Sequence, residues 1–267
     1  MIYKRPYFII EDSFTLLPLL RILPMIPQNR QNHSQTNYAG ISELWANENF
    51  LPRYNRDVVR KLSKYFRSND KTLEFGAGLG TLTAIWKNQN KTSPDCVEID
   101  PSLCNILKER GFTVHTKIED TRSQYDYIYT SNVLEHIEDD VQSMRALFSI
   151  LNTNGYLAIY VPAFMVLFGK FDSDVGHYRR YDKKDIVKKL ESANFEIVEA
   201  SYADSIGFFA WLANNILISR NNNAQGAESV NRFKFYDTYI YPISKLMDSL
   251  GLKYLFGKNI LVIARKK

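Results

Sequence analysis

The stretch that most constrains this chain is Leu73-Glu-Phe-Gly-Ala-Gly-Leu-Gly80, an apolar strand followed by an acid and three alternate glycines. Glycines at 76, 78 and 80 permit a sharp turn and leave no Cβ between the backbone and a ligand. The residues from Thr81 to Lys87 predict a helix whose amide dipoles face that ligand. The spacing lacks the final two-residue gap of the dinucleotide fingerprint, so the turn favours a smaller nucleoside ligand over a pyrophosphate.

With this turn the chain resembles the class I, Rossmann-like S-adenosylmethionine-dependent methyltransferases, in which acid-x-Gly-x-Gly-x-Gly follows the first strand. Four residues match that motif position by position: Glu74, Gly76, Gly78 and Gly80. The resemblance implies that they bind S-adenosylmethionine, whose product is S-adenosylhomocysteine. For a glycine-rich loop taken alone, a purely structural turn is the alternative.

A second strand, Asp95-Cys-Val-Glu98, ends in acids and is stopped by Pro101. In a nucleotide-binding α/β sheet, an acid roughly 20 residues beyond the first glycine accepts hydrogen bonds from the ribose hydroxyls. Glu98 has this offset from Gly76, and Asp100 is its alternate. Unrelated surface acids are the other interpretation.

The adenine end of the predicted site fits the resemblance less well. Where the family places an Asp, the chain has Thr116-Lys-Ile-Glu-Asp120. We expect Ile118 and Glu119 to flank the adenine. The resemblance also implies that the segment before the first strand closes over the cofactor, which makes Tyr54 a candidate for that lid, although buried packing would explain it equally well.

The fourth strand, Tyr125 to Ser131, is followed by Asn132-Val-Leu-Glu-His136-Ile, which resembles the fourth motif of the small-molecule methyltransferases, the type 11/12-like subgroup. In that family this turn lies beside the methionine part of the cofactor, which makes Asn132 a candidate ligand. His136 is either a catalytic group or a structural histidine that caps the next helix.

The loop from Phe164 to Tyr181 is long, aromatic and charged, and it follows a central strand. Long loops at such strand ends tend to be functional. His177 and Tyr178 can form hydrogen bonds or take a proton, and the arginines can hold a carboxylate or phosphate. Our candidates for catalysis are, in order, His177, His136 and Tyr178; those for substrate binding are Arg179, Arg180 and Tyr181. A lid fixed by salt bridges from these arginines to Asp172, Asp174 and Asp182 is the alternative.

The alternation of strands and helices predicts an α/β fold with a doubly wound, mostly parallel sheet and helices on both faces. The resemblance implies seven strands, the last antiparallel. Between strand six, Phe195–Tyr202, and the last strand, Asn259–Ala264, lies an insertion with an apolar helix at 206–218 and an aromatic helix at 231–250. We divide the chain into an arm or lid (1–50), the cofactor-binding core (51–202 with 258–267) and a helical insertion (203–257).

Composition excludes several classes of protein. Net charge is +5, but the basic residues are scattered, which favours a solvated surface over nucleic-acid binding. Cys96 and Cys104 fall on a predicted strand and helix, where burial is expected in place of a disulfide or zinc site, and no metal is predicted. The N-terminus lacks the pattern of a signal peptide, and no 18-residue apolar run is present, so we expect a cytoplasmic protein. Apolar residues at 14–27 and 206–218 leave a peripheral membrane contact open.

The predicted function is transfer of a methyl group from S-adenosylmethionine to an oxygen or nitrogen of a small or lipid-like molecule, with carbon less favoured. Two alternatives stay open. One is a non-catalytic or membrane-associated binding protein on a methyltransferase core, which the lysine at 117 supports. The other is a nicotinamide-dependent oxidoreductase, although its cofactor needs wider glycine spacing.

Overall fold

The computed structural model describes residues 41–220 and 227–267. Its seven strands are β1 Thr72–Phe75, β2 Asp95–Val97, β3 Val114–His115, β4 Tyr125–Ser131, β5 Leu151–Pro162, β6 Glu196–Ala203 and β7 Asn259–Arg265. Of the predicted arm or lid at 1–50, residues 1–40, which include the apolar stretch 14–27, lie outside the described residues.

Ten α-helices are described in these two ranges: α1 Ile41–Phe50, α2 Pro52–Leu62, α3 Thr81–Asn90, α4 Pro101–Glu109, α5 Asp140–Ile150, α6 Lys170–Asp174, α7 Lys183–Ser192, α8 Ser205–Arg220, α9 Ala227–Phe235 and α10 Tyr241–Ser249. Short 3₁₀ turns occupy 118–120, 134–136, 165–167 and 252–254. No helix in the described part of the chain is long and apolar enough to cross a bilayer.

The strands form one sheet in the order β3-β2-β1-β4-β5-β7-β6. β7 runs antiparallel to both β5 and β6, and the other pairs are parallel. This confirms the predicted Rossmann-like sheet. The strand order reverses between β1 and β4, and a ligand site is expected outside the carboxyl ends of the strands at such a reversal.

Alternate side chains of the central strands enter two different cores. On one face Ile128 and Leu157 pack with Leu147 of α5 and Ile186 of α7. On the other face Tyr127 and Tyr129 pack with Trp86 of α3, whose ring is stacked on Tyr129 with centroids 4.3 Å apart. Because strand side chains alternate between faces, this pattern requires helices on both sides of the sheet. Cys96 and Cys104 are buried and free, as predicted.

The helical insertion packs against α2 through polar contacts. The Asp237 carboxylate accepts hydrogen bonds from the backbone N–H groups of Arg53 (3.1 Å) and Tyr54 (2.8 Å), at the start of α2. Tyr241 donates a hydrogen bond to Asp57 of α2 at 2.6 Å. These contacts hold α2 in place, and Tyr54 of α2 lines the cavity described below.

Several element boundaries differ from the sequence prediction. The single aromatic helix expected at 231–250 begins at Ala227 and passes through a π-helical turn at Tyr236–Ile240. β5 begins at Leu151, directly after α5, and includes Asn154, which adopts a left-handed conformation (φ 65°) and donates its N–H to the carbonyl of Lys266 just after β7. The loop at 164–181 contains the short helix α6.

Candidate functional site

A cavity of about 740 Å³ opens at the carboxyl ends of β1, β2, β4 and β5. We call the wall formed by Gly76, Gly78, Glu98 and Asn132 the glycine side. The wall formed by His136, His177, Arg180, Trp211 and Lys258 is the histidine side. A volume of this size is in the range that proteins use for small-molecule ligands.

The glycine turn has the backbone that its sequence predicts. Gly76, Gly78 and Gly80 have φ angles of 75°, 56° and 79°, a region that residues with a Cβ rarely adopt. A Cβ on Gly76 would lie 2.3 Å from Val133 of the turn after β4. The absence of side chains therefore lets the turns after β1 and β4 meet, and Gly80 begins α3.

Glu98 is held at the cavity wall by main-chain groups. One carboxylate oxygen accepts the N–H of Gly78 at 2.8 Å, and the other accepts the N–H of Asp100 at 3.0 Å. Each oxygen keeps a further lone pair, so the carboxylate can accept from ligand hydroxyls as well. Asp100, the alternate ribose candidate, caps α4 by accepting from Ser102 and Leu103 and does not line the cavity.

Glu74 lies at the base of the glycine side, under the turn. Its carboxyl group accepts hydrogen bonds from Tyr129 (2.8 Å) and from Thr83 of α3. Burial raises the pKa of Glu74 to about 7, in spite of these two hydrogen bonds. Glu74 therefore anchors strand to helix beneath the cavity, which it also lines.

The remaining cofactor candidates lie around the same cavity. Ile118, on the 3₁₀ turn after β3, is buried, and Glu119 beside it is exposed. Asn132 adopts a left-handed conformation (φ 53°) and donates its N–H to Tyr160 of β5. Tyr54 contributes from α2. The structure thus brings these four predicted residues together at one site.

The histidine side is built around the buried carboxylate of Asp172. It accepts hydrogen bonds from His177 Nδ1 (2.8 Å), Arg180 Nε (2.9 Å) and the N–H of Gly169 (2.9 Å). Burial alone would raise the pKa of Asp172, but the hydrogen bond from His177 and the charge of Arg180 outweigh it and lower that pKa. Asp172 therefore fixes the orientation of both side chains.

His136 lies against His177, with ring centroids 4.5 Å apart and nearly perpendicular planes. Burial, together with the neighbouring His177, lowers the pKa of His136 to about 4. The imidazole of His136 is therefore neutral near pH 7 and offers a lone pair or an N–H, not a positive charge.

Two residues, Glu135 beside His136 in the chain and Arg180 of the histidine side, carry buried polar atoms with no hydrogen-bond partner in the described protein. Both carboxyl oxygens of Glu135 are in this state, and so is Nη1 of Arg180. Burial raises the pKa of Glu135 to about 8. Native proteins rarely leave such atoms unpaired, so we expect a ligand or solvent molecule to reach them.

Two residues of the histidine side were not predicted as site residues from the sequence: Trp211 of α8 and Lys258 before β7. The Arg180 guanidinium lies over the Trp211 ring at 5.1 Å from its centroid, and Lys258 lies 5.6 Å from the same ring. The apolar helix with its tryptophan was visible in the sequence. No sequence signal placed Lys258 at the cavity, because the whole insertion separates it from the other site residues.

Four other predicted residues do not line the cavity. Gly80 lies behind the turn at the start of α3. Tyr178 is exposed. Arg179 and Tyr181 both contact Asp140 of α5, at 2.9 Å and 2.7 Å. The arginine pair is thus divided, since only Arg180 of the two reaches the cavity. Arg180 forms a salt bridge with Asp172, as the alternative of a lid fixed by salt bridges predicted.

Residues 47–200 match the sequence model of a protein family, the methyltransferase domain. The chain belongs to this methyltransferase family. The match covers more than half of the chain and includes the glycine turn, Glu98 and the Asn132–His136 turn. It establishes S-adenosylmethionine as the cofactor of this methyltransferase and removes the reason for a nicotinamide cofactor.

Solved structures share the fold at low sequence identity. A SAM-dependent methyltransferase from Archaeoglobus fulgidus is 19% identical with a TM-score of 0.55, over 84% of this chain and 99% of that one. Haemonchus contortus phosphoethanolamine N-methyltransferase 2, in complex with S-adenosylmethionine, is 14% identical (TM-score 0.57), over 85% of this chain and 56% of that one. The [4+2]-cyclase SpnF is 13% identical (TM-score 0.53), over 79% and 80%. None of the curated proteins compared with this methyltransferase matches it.

The glycine side of the methyltransferase fits its cofactor. The glycine turn exposes backbone groups to a ligand, and the Glu98 carboxylate can accept hydrogen bonds from ribose hydroxyls. The turn at the end of β4 adds further polar groups for a nucleoside joined to methionine. When bound, S-adenosylmethionine supplies an electrophilic methyl group on sulfur.

Proposed function

We propose that this methyltransferase acts on a small or lipid-like acceptor that carries an apolar portion and an anionic group, and that it methylates an oxygen or nitrogen of that acceptor. The observation that carries the proposal is Nη1 of Arg180, a buried donor at the cavity wall with no partner in the described protein. A carboxylate or phosphate of the acceptor would satisfy it, since guanidinium groups pair well with such oxygens.

The surroundings of Arg180 support an acceptor of this class. Lys258, whose Nζ lies 3.3 Å from the buried carboxylate of Asp204, adds a second cation. Trp211 and Phe171 add an apolar wall. Asp172 accepts from the Nε edge of Arg180 and leaves Nη1 for a ligand. The acceptor would therefore lie against these aromatic rings with its anionic end at Arg180.

For the same acceptor, we propose that His136 and His177 face the reacting atom. Methyl transfer depends mainly on position, because nucleophile and methyl must be aligned about 3 Å apart with water excluded. The cavity wall supplies that alignment through groups that cannot rotate freely: His177 is fixed by Asp172 and packed edge-on against His136. Tyr178, as our third candidate for proton transfer, would have to turn in from the surface.

The experiment uses matched pairs of acceptors. Apolar amines and phenols that carry a carboxylate are compared with their methyl esters, and formation of S-adenosylhomocysteine is measured. We expect the acceptor with the carboxylate to have at least tenfold higher kcat/KM than its methyl ester. Arg180→Lys should reduce that preference, although the lysine still provides a cation for Asp172. Arg179→Lys is the matched control, because Arg179 contacts Asp140 outside the cavity, and we expect it to retain the preference.

A preference for the esters would contradict the proposal. Binding of S-adenosylmethionine with no S-adenosylhomocysteine formed from any acceptor would instead support a non-catalytic binding protein. That outcome is included because the fold alone does not determine the reaction.

A further inference from the structure

Glu135, His136 and His177 bring one carboxylate oxygen and two imidazole nitrogens within 4.8 Å of one another. Both Glu135 oxygens are buried without a hydrogen-bond partner. His177 Nε2 lies 3.9 Å from Glu135 Oε1, which is too far for a hydrogen bond. Three groups that can each offer a lone pair thus lie close together, and one of them is a buried carboxyl group with no hydrogen-bond partner in the described protein.

The surrounding contacts hold the imidazole of His177 in the orientation of a metal ligand. Asp172 Oδ1 lies 2.8 Å from His177 Nδ1, so Nδ1 carries the proton and Nε2 presents its lone pair towards Glu135. A carboxylate behind a histidine is the usual arrangement around metal-bound imidazoles, because it fixes the tautomer and raises the basicity of the ligating nitrogen. Arg180 in turn holds Asp172.

We propose that Glu135, His136 and His177 bind a divalent first-row transition ion, of which Zn²⁺ is the representative. Two imidazoles and one carboxylate suit such ions better than Mg²⁺ or Ca²⁺, which prefer all-oxygen sites. Tetrahedral ligands at 2.0–2.2 Å from Zn²⁺ lie about 3.4 Å apart, so the three groups need to close by roughly 1 Å.

The proposed ion would have an open position on the cavity side. His136 and His177 line the cavity, whereas Glu135 lies behind them, fully buried. An oxygen of the acceptor could occupy that position and be polarised by the ion, which is the task of a site with three protein ligands. This role rests on the proposed function; the binding of the ion does not.

The test is metal binding by the full-length protein, free of any affinity tag and stripped with EDTA. Zn²⁺ is measured by equilibrium dialysis, and Co²⁺ is used as a spectroscopic substitute. We expect one Zn²⁺ per chain, a Co²⁺ ligand-field band and no competition from excess Mg²⁺. Glu135→Gln and His177→Asn should each weaken Zn²⁺ binding at least tenfold. His115→Asn, which removes a histidine on β3 outside the cluster, should bind as the wild type does.

Wild-type protein that binds no Zn²⁺ and shows no Co²⁺ band would overturn the proposal, as would unchanged binding in both cluster variants. Should a variant fail to fold, His136→Asn gives a second comparison, with at least a tenfold loss of affinity expected because it removes one of the three ligands. S-adenosylmethionine binding is measured by calorimetry in the same samples. This measurement separates a failure of Zn²⁺ binding from a failure of the proposed function, because Zn²⁺ binding requires no methyl transfer.

Discussion

The glycine side of the cavity is held by the main chain, whereas the histidine side is held by buried side chains. Glu98 is fixed by two backbone N–H groups from neighbouring turns. His177 and Arg180 are fixed by one carboxylate, Asp172, which belongs to a short helix in a long loop. The glycine side therefore depends on local backbone conformation, while the histidine side depends on a small number of side chains.

The largest expected effect concerns the stability of the histidine side. Asp172→Ala should lower the free energy of unfolding by about 3–5 kcal/mol, because it leaves Arg180 buried without its partner. Urea denaturation measures this change. Asp174→Ala is the control on the same helix: its salt bridge to Lys170 is exposed, so the change should stay below about 0.5 kcal/mol. Equal effects of the two substitutions would mean that Asp172 does not hold this wall.

The second prediction concerns ionisation beneath the glycine side. Folded protein keeps Glu74 protonated up to about pH 7, whereas the unfolded chain releases this proton near pH 4.5, the usual pKa of a Glu carboxyl group. The free energy of unfolding should therefore fall as pH rises from 4.5 to 7, by up to about 3 kcal/mol for this group. Glu74→Gln should lack this part of the pH dependence in denaturation curves at pH 5 and pH 8. A variant with the same pH dependence as the wild type would refute the assignment.

The third prediction tests the glycine side as the cofactor wall. Glu98→Gln should weaken S-adenosylmethionine binding by about 10- to 100-fold, since hydrogen bonds to a charged group contribute roughly 1.5–3 kcal/mol. Calorimetry measures the dissociation constant. Asp100→Asn keeps a good helix cap, so it should leave the affinity within about threefold. Should Asp100→Asn have the larger effect, the alternate acid would be the ribose ligand.

The smallest effect is expected for Gly78→Ala. Its left-handed backbone should cost about 1–2 kcal/mol of stability, because an added Cβ is unfavourable there but meets only ordinary contacts with Leu44. Gly111→Ala has a similar φ angle (79°) and open space, so it should cost the same. Only Gly78→Ala should also weaken S-adenosylmethionine binding. Equal affinities would show that the ligand does not approach this backbone closely.

Much of the glycine side could be predicted because its signals are local. A glycine turn after an apolar strand and an acid at the end of the next strand each occupy a few consecutive residues, and they specify their own backbone geometry. The sheet was predictable for a similar reason, since alternating strands and helices leave few possible topologies.

The histidine side could be predicted only in part. The sequence singled out His136, His177 and Arg180, but it treated Arg179 and Arg180 as a pair and left Glu135 and Asp172 without a site role. Neighbouring positions in an irregular loop can point in opposite directions, and here one arginine contacts Asp140 while the other lines the cavity. Which of them faces the cavity depends on how the loop lies across the sheet.

The sequence by itself determined the family, the cofactor and the wall that we expect to hold it, because those features follow from backbone conformations encoded over short stretches. Only the tertiary structure decided which residues form the histidine side. The approach of Glu135 and His136 to His177, and of Arg180 and Lys258 to Trp211, joins segments that are far apart in the chain. Such contacts depend on the packing of the loop and the insertion over the sheet, which no short stretch of sequence specifies.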